Sequence, residues 1–179
     1  MFLLSFAGFL RSEEVRFLRS CDVKFEDDHV AITIASSKTD QLREGHTVLL
    51  AKSSDPNLCP VRVLQAYMSS ANIPLRSSDY LFRPISASKK SKCLVSPNKP
   101  LSDSTYREAF KAYFKSIVPD ISKFSTHSCR SGGATSAIQS GASDRTVQRH
   151  GRWRVSASKD RYVKDSAEDR LKVSKSLGL

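Results

Sequence analysis

A short β-branched segment limits the folds open to this chain more than any other feature. Residues 30–34 read Val-Ala-Ile-Thr-Ile, which alternates in the manner of a strand with one buried face. Weaker strand candidates lie on either side of it, at residues 23–25 and 47–50. Asp27 and Asp28 are turn residues between the first two candidates. The sequence therefore predicts a three-stranded antiparallel sheet.

The rest of the first half predicts helices. Residues 2–10 are almost wholly apolar and predict a buried helix, which residues 12–20 continue. Pro60 stands where a first helical residue is favoured, ahead of apolar positions at helical spacing. Residues 76–102 are rich in Ser, Lys and Pro and predict a loop.

The second half also predicts helices. Residues 104–117 carry apolar side chains on one face, and Thr105 with Glu108 forms a candidate capping box. The further predicted helices are one from 127 to about 140 capped by Ser125 or Thr126, a short one at 144–149, one carrying Tyr162, and a terminal one near 167–176. The predicted fold class is mainly α with a small three-stranded antiparallel sheet, or α+β.

The charge of the chain points to a polyanionic partner. Its 179 residues fit one domain, and 29 Lys and Arg against 18 Asp and Glu give a net charge of +11. Such a charge favours nucleic acid over a membrane surface, and the apolar start is too short to span a bilayer. Between residues 123 and 162, eight basic residues face two acidic ones, which is also compatible with a solvated basic face.

The cysteines and histidines do not predict a metal site. The four cysteines are far apart without a C-x-x-C pair, and the four histidines are scattered. We therefore expect free thiols in a reducing, intracellular compartment, with no metal and no cofactor.

Two groups of residues could carry chemistry. His127 and Arg130 are three apart and share a helix face, while Gly132 and Gly133 suggest close approach of a backbone or a phosphate. Tyr162 lies in a basic segment, where positive charge favours the phenolate and hence attack on a phosphate. Taken one at a time, these residues are more typical of a helix start, a surface salt bridge and a partly buried aromatic side chain.

Together, these segments resemble the tyrosine recombinase (phage integrase) family. The His127-Ser128-Cys129-Arg130 stretch is similar to its H-x-x-R motif. Gly151-Arg152-Trp153 is similar to its third box, with Trp where many members have His. Tyr162 follows Trp153 by nine residues, at the place of the family's nucleophile.

The resemblance extends over nearly the whole chain. Residues 10–14 resemble the first box, whose arginine is Arg11 and whose acidic residue is Glu14. Lys38 falls in a segment similar to the family's hairpin lysine. The Arg152-Trp153-Arg154 run and the Ser-Leu-Gly-Leu tail are similar to eukaryotic recombinases of DIRS-like and Crypton-like mobile elements, which would place the protein in the nucleus.

The resemblance implies a mechanism. Tyr162 would attack a backbone phosphate of double-stranded DNA and form a 3′-phosphotyrosyl link, with Arg11 and Arg130 holding the non-bridging oxygens. Lys38 would protonate the leaving 5′-oxygen, and His127 would act as a base or a phosphate donor. The indole of Trp153 would donate to the phosphate and Glu14 would orient a basic neighbour, so no metal is required.

The resemblance also sets expectations about domains and partners. Residues 1–179 would form a single catalytic domain without the N-terminal core-binding domain, and the tail 163–179 would join copies into an oligomer on DNA. The residues expected to bind DNA are Lys123, Arg149, Arg152, Arg154 and Lys159. Two alternatives remain open: a catalytically silent DNA-binding protein, and a nicking and closing enzyme like a type IB topoisomerase.

Overall fold

The computed structural model describes residues 1–35, 45–86 and 92–178. Its elements are α1 (Phe2–Ala7), α2 (Ser12–Arg16), β1 (Val23–Phe25), β2 (His29–Ile34), β3 (His46–Ala51), α3 (Pro60–Ser70), α4 (Asp103–Phe114), α5 (Thr126–Gln139), α6 (Asp144–His150), α7 (Ser156–Asp160) and α8 (Ala167–Ser176). Two 3₁₀ turns, Ser20–Asp22 and Ile121–Lys123, complete the list. The predicted fold class, mainly α with a small antiparallel sheet, is confirmed.

The sheet has the predicted three strands. Their order is β1-β2-β3, and both pairings are antiparallel. Ile32 pairs with Val23 on one side and with Val48 on the other, and all three side chains are buried. The alternation of the central strand therefore selects the face that packs on the core.

Local signals at two helix starts act as predicted. Pro60 is the first residue of α3, where its missing N–H costs no helical hydrogen bond. Ser125 is the cap of α5: its Oγ accepts from the N–H of His127 at 3.3 Å, and its own N–H donates to Ser128 Oγ at 3.0 Å. Of the two cap candidates, the structure selects Ser125.

The capping box predicted at Thr105 and Glu108 is wrong. The cap of α4 is Ser102, whose Oγ accepts from the N–H of Thr105 at 3.1 Å. Because Ser102 supplies the same hydroxyl three residues earlier, the helix starts at Asp103 and Thr105 lies inside it. The helix also ends at Phe114, three residues before the predicted end at 117.

The two predicted N-terminal helices are shorter than expected. Helix α1 ends at Ala7, and α2 covers five residues and ends at Arg16. Between them Phe9 has a φ of 48°, which a helix cannot contain. The turn buries the Phe9 ring against His150 and Trp153, and it frees the Phe9 carbonyl to accept from two arginines described below.

The described residues form two hydrophobic clusters. The larger lies between the sheet and helices α1–α4, and the smaller contains Phe9, Ala134, Val147 and Trp153 with Tyr162 at its edge. Helix α1 packs on α5 at Gly133, where a Cβ would lie 2.1 Å from the Phe6 carbonyl oxygen. At Gly133 the close approach of a backbone is therefore observed, whereas the nearest atoms at Gly132 belong to the Phe6 ring.

Two further findings concern the described ranges. No helix there is long and apolar enough to cross a membrane. The same ranges hold no group of three or more His, Cys, Asp or Glu side chains placed to bind a metal ion. All four cysteines are free, as predicted.

Candidate active site

Tyr162 and His127 are in direct contact. The phenol Oη of Tyr162 lies 2.8 Å from Nε2 of His127, and the ring centroids are 5.1 Å apart. Partial burial lowers the pKa of His127, and the positive charges of Arg130 and Arg11 lower it further. His127 is therefore neutral at pH 7 and, with its proton on Nδ1, can accept the phenolic proton.

The prediction that a helix carries Tyr162 is wrong. Helix α7 ends at Asp160, and residues 163–166 have no regular structure. The N–H of Tyr162 still donates to the Lys159 carbonyl at 2.8 Å. The N–H of Val163 donates to the same carbonyl at 3.3 Å. The carbonyl of Tyr162 itself accepts from two hydroxyls of α5, so the chain leaves the helical path here.

Arg130 lies beneath Tyr162 and has no exposed surface. One Nη donates to the Phe9 carbonyl and the other to the Gly151 carbonyl at 2.6 Å. Its Cζ lies 4.4 Å from the centre of the Trp153 ring and 5.2 Å from that of Tyr162. Burial, and then the charge of Arg11, lower the pKa of Arg130 to about 10, so it remains a cation at pH 7.

Glu14 joins two arginines through separate oxygens. Its Oε1 accepts from Nη1 of Arg11 at 2.7 Å, and its Oε2 accepts from Nη2 of Arg152 at 2.7 Å. Although burial raises the pKa of Glu14, the charges of Arg152 and Arg11 and a hydrogen bond from the Arg11 N–H lower it below its usual value. Glu14 is therefore an anion in the folded protein.

The cluster keeps an excess of positive charge. Arg11, Arg130 and Arg152 bring three cations near the single carboxylate of Glu14, and each arginine lowers the pKa of another or has its own lowered. Three donors in the cluster are buried without a hydrogen-bond partner in the part of the chain described: Nε of Arg130, Nε of Arg152 and Nε1 of Trp153. An anion with several acceptor oxygens matches both features.

Two clefts open beside these residues. One, of about 370 Å³, is lined by His127, Ser128, Ser131, Arg161, Tyr162 and Lys164. The other, of about 490 Å³, includes Arg11 together with Thr33 and Ala35 at the end of β2. The predicted Lys38 lies outside the described residues.

Two of the five residues predicted to bind DNA are committed to the fold. Arg152 is 7% exposed, and its guanidinium donates to Glu14 and to the carbonyls of Gly8, Phe9 and His150. Its φ of 59° turns the side chain inward. These bonds use both terminal nitrogens of Arg152, which argues against the predicted contact with DNA.

Lys159 is the second such residue. It is 2% exposed, and its Nζ donates to Asp144 and lies 3.1 Å from Asp160. Although burial lowers its pKa, these two carboxylates raise it overall. Lys159 therefore ties α7 to α6 instead of facing DNA. The other predicted contacts, Lys123, Arg149 and Arg154, are exposed.

Ser131 and Thr135 also contact Tyr162, although neither was predicted as a site residue. Their hydroxyls donate to the Tyr162 carbonyl at 2.6 and 3.2 Å. The only available signal was their spacing, since residues 127, 131 and 135 recur every four positions and share one helix face.

The chain is similar to known recombinases along almost its whole length. It is 30% identical over 174 residues to an integrase/recombinase XerD homolog of Selenomonas ruminantium, which covers 94% of this chain and 49% of the relative. It thus spans about half the length of that curated relative. Among solved structures, XerH bound to its difH substrate has a TM-score of 0.67 at 18% identity, covering 98% of this chain and 44% of that one.

Two other structures share the fold. XerA recombinase has a TM-score of 0.66 at 18% identity and covers 97% of this chain and 55% of its own. The Tn1549 transposon integrase in complex with transposon right end DNA has a TM-score of 0.60 at 15% identity, with coverage of 96% and 55%. The family model described as the phage integrase family matches residues 1–169. Because that match spans nearly the whole chain, the protein belongs to the phage integrase family.

Proposed function

We propose that this protein cleaves and rejoins double-stranded DNA at specific sites through a 3′-phosphotyrosyl intermediate. The observation that carries the proposal is the 2.8 Å contact between Tyr162 Oη and His127 Nε2 in a cluster with excess positive charge. A neutral histidine beside a phenol can take its proton, and nearby cations favour an attack on phosphate. Family membership supports the same reaction class.

Each residue of the cluster has a role in the proposed reaction. Tyr162 attacks the phosphorus and displaces the 5′-oxygen, while His127 takes the phenolic proton and Lys38 gives a proton to the leaving oxygen. Arg11 and Arg130 offset the charge that develops on the non-bridging oxygens, with Trp153 as a further donor. Glu14 orients Arg11, which it contacts directly. The covalent link conserves the phosphodiester energy, so the reverse attack rejoins the strand.

Double-stranded DNA is the proposed substrate. Two similar structures are complexes with DNA: XerH is bound to a difH substrate, and the Tn1549 integrase is bound to transposon right end DNA. This chain has a net charge of +11, and Lys123, Arg149 and Arg154 are exposed to receive phosphates.

A trapping experiment tests the reaction. A nicked suicide duplex loses a short strand after cleavage, so rejoining fails and the protein stays attached to DNA. We expect a covalent adduct with the wild-type chain and none with Tyr162→Phe. Tyr113→Phe, at an exposed tyrosine of α4, is the matched control and should leave the adduct unchanged. An adduct that persists in Tyr162→Phe contradicts the assignment of the nucleophile.

A separate experiment tests the proposal that Lys38 protonates the leaving 5′-oxygen. A duplex with sulfur in place of the bridging 5′-oxygen has a leaving group that needs no proton. We expect Lys38→Ala to slow adduct formation on ordinary DNA. The sulfur-containing duplex should restore adduct formation by this variant. Lys99→Ala, at an exposed position, is the control. A defect of equal size on both duplexes contradicts Lys38 as the proton donor.

A catalytically silent DNA-binding protein is the second candidate. The observation in its favour is the complete burial of Arg130, with both terminal nitrogens bonded to backbone carbonyls. A phosphate reaches this guanidinium only if the Tyr162 ring moves or one of those bonds breaks. Salt-dependent DNA binding without any adduct would establish this alternative. Relaxation of plasmid by a monomer, without recombinant product, would favour a topoisomerase-like enzyme.

The tail is the proposed site of assembly on DNA. Helix α8 has no buried residue, and Leu171, Val173 and Leu177 are exposed. Apolar side chains on an exposed helix fit docking onto another copy of the chain. We expect Leu171→Ser with Val173→Ser to reduce the mass of the DNA complex in light scattering, with Lys175→Ser as control. An unchanged mass contradicts assembly through the tail.

Domain boundaries and source remain predictions. We propose that residues 1–179 form a single catalytic domain, which corresponds to about half the length of the curated relative. The link to eukaryotic mobile elements, and with it a nuclear location, rests on the Arg152-Trp153-Arg154 run and the Ser-Leu-Gly-Leu tail. The curated relative is bacterial. A gene located between the terminal repeats of a eukaryotic element would support the link, and a bacterial locus would contradict it.

A further inference from the structure

The main-chain carbonyl of Tyr162 is held by two hydroxyls of one helix. Ser131 Oγ donates to it at 2.6 Å and Thr135 Oγ1 at 3.2 Å. Thr135 Oγ1 also accepts from the N–H of Lys164 at 3.1 Å. One threonine hydroxyl thus uses its donor and an acceptor site to hold the chain on both sides of Val163.

The same helix face holds the other end of the tyrosine. His127, Ser131 and Thr135 are spaced by four residues, so they follow one another along α5 with a rise of about 6 Å per step. His127 meets the phenol, while Ser131 and Thr135 meet the carbonyl. Tyr162 is therefore fixed at its two ends against a single rigid element.

Besides the two hydroxyls, Tyr162 is supported by the Trp153 ring, 5.2 Å away between centroids, and by the last turn of α7. Helix α7 ends two residues before Tyr162, and residues 163–166 are without regular structure. On the main chain, the N–H groups of Tyr162 and Val163 both donate to the Lys159 carbonyl, at 2.8 and 3.3 Å. These bonds hold the N–H side of the peptide after Tyr162, while the two hydroxyls of α5 hold its carbonyl. Loss of the hydroxyls would release that carbonyl and let the phenol shift relative to His127.

We propose that Ser131 and Thr135 are positioning residues that set the nucleophile Tyr162 for attack. The inference rests on the proposed function, because it assigns these hydroxyls to the geometry of the same reaction. A displacement of about 1 Å in a reacting group can cost about 100-fold in rate. The hydroxyls act on the main chain, so they should affect the attack and not the affinity for DNA.

The test separates the rate of attack from binding. The Ser131→Ala and Thr135→Val double variant removes both hydroxyls and keeps the shape of the threonine. We expect the single-turnover rate of adduct formation to fall by about 10- to 100-fold, with the Kd for the same duplex unchanged. The loss should persist on the duplex with a 5′-sulfur leaving group, because that duplex bypasses the leaving-group proton and not the nucleophile.

Matched variants exclude a general effect on the helix. Thr135→Ser keeps the hydroxyl and should therefore recover most of the rate that Thr135→Val loses. Ser136→Ala changes the next residue of α5, which is exposed and has no side-chain hydrogen bond to another described residue, and should leave the rate unchanged. Circular dichroism and the Tm of each variant show whether it is folded. If the double variant is unstable, the comparison of Thr135→Val with Thr135→Ser decides.

Three outcomes would overturn the proposal. One is a folded double variant that reacts at the wild-type rate, which refutes the positioning role and leaves the proposed function intact. Another is a loss of DNA affinity equal to the loss of rate, which assigns the hydroxyls to binding. The third is a wild-type chain that forms no adduct through Tyr162, which refutes the proposed function together with this inference.

Discussion

Glu14 and Arg152 form an ion pair that joins the two ends of the chain. Oε2 of Glu14 and Nη2 of Arg152 are 2.7 Å apart, and each side chain is 2% exposed. Because Glu14 also binds Arg11, the pair connects the segment around Arg11 with the one that carries Trp153. Glu14 thus orients two arginines, whereas the sequence predicted one basic neighbour.

We expect Arg152→Gln to destabilise the fold. The substitution leaves the Glu14 carboxylate buried without one of its two cations, and removal of one member of a buried pair costs about 3–5 kcal/mol. Arg154→Gln, at the exposed position two residues on, is the matched control and should change the free energy of unfolding by less than about 0.5 kcal/mol. Urea unfolding measures both, and equal effects would contradict the structural role of Arg152.

The adjacent glycines of α5 should respond in opposite directions to alanine. Gly133→Ala places a methyl group 2.1 Å from the Phe6 carbonyl oxygen, so α1 must move away from α5. Gly132→Ala meets its nearest neighbour, a carbon of the Phe6 ring, at an ordinary 3.5 Å. We expect Gly132→Ala to raise the free energy of unfolding by up to about 1 kcal/mol through helix propensity, and Gly133→Ala to lower it. Thermal unfolding of the two variants decides, and a stable Gly133→Ala would contradict the packing.

The proposed reaction should lose rate only at acid pH. Burial and the charges of Arg130 and Arg11 lower the pKa of His127 below 6.5, so its proton is lost at a lower pH than in a free histidine. If neutral His127 is the base, the rate of adduct formation rises with pH through that lowered pKa and levels off above it. His127→Gln should remove this acid limb as well as most of the rate. A limb centred above pH 6.5 would contradict the assignment.

The stability of the fold should also decrease at acid pH. His127 and His150 both have a lowered pKa in the folded state, mainly because of burial, so the unfolded chain binds more protons below pH 6.5. Their contribution is fully present above the unfolded pKa of about 6.5 and is lost as the pH falls through the folded values. We expect the free energy of unfolding to decrease over that range and His150→Gln to reduce the slope. Urea unfolding from pH 7.5 to 5 measures it, and a flat profile would contradict the prediction.

The salt dependence of DNA binding should distinguish exposed from buried cations. Arg149→Gln or Arg154→Gln removes an exposed charge and should lower the slope of log K against log salt by about 1 if that charge meets a phosphate. Lys159→Gln removes a charge that is bound to Asp144 and Asp160, so it should lower the Tm and leave the slope unchanged. A reduced slope in Lys159→Gln would indicate that Lys159 contacts a DNA phosphate, which its burial argues against.

Local chemistry explains which parts of the fold the sequence predicted. The strands at residues 23–25 and 30–34, the start of α3 at Pro60 and the cap of α5 at Ser125 follow from contacts within a few residues along the chain. Competing local signals caused the misplaced α4 start, since Ser102 and Thr105 are both good caps. The candidate residues were found because a family motif depends on residue type and order, both of which the sequence displays.

The sequence by itself thus determined the secondary structure at strong local signals. It also determined which residues make up the H-x-x-R motif and the tyrosine segment. Tertiary structure alone decided which charges are available. Arg152 and Arg154 are two residues apart in the same basic run, yet a φ of 59° and a carboxylate 138 positions away bury the first, while the second stays exposed. Ser131 and Thr135 likewise acquire their contact with Tyr162 only when the loop after α7 folds back onto α5. A hydroxyl or a guanidinium is the same chemical group whether it is buried or exposed. Its partner is set by packing between distant segments, which the sequence does not display.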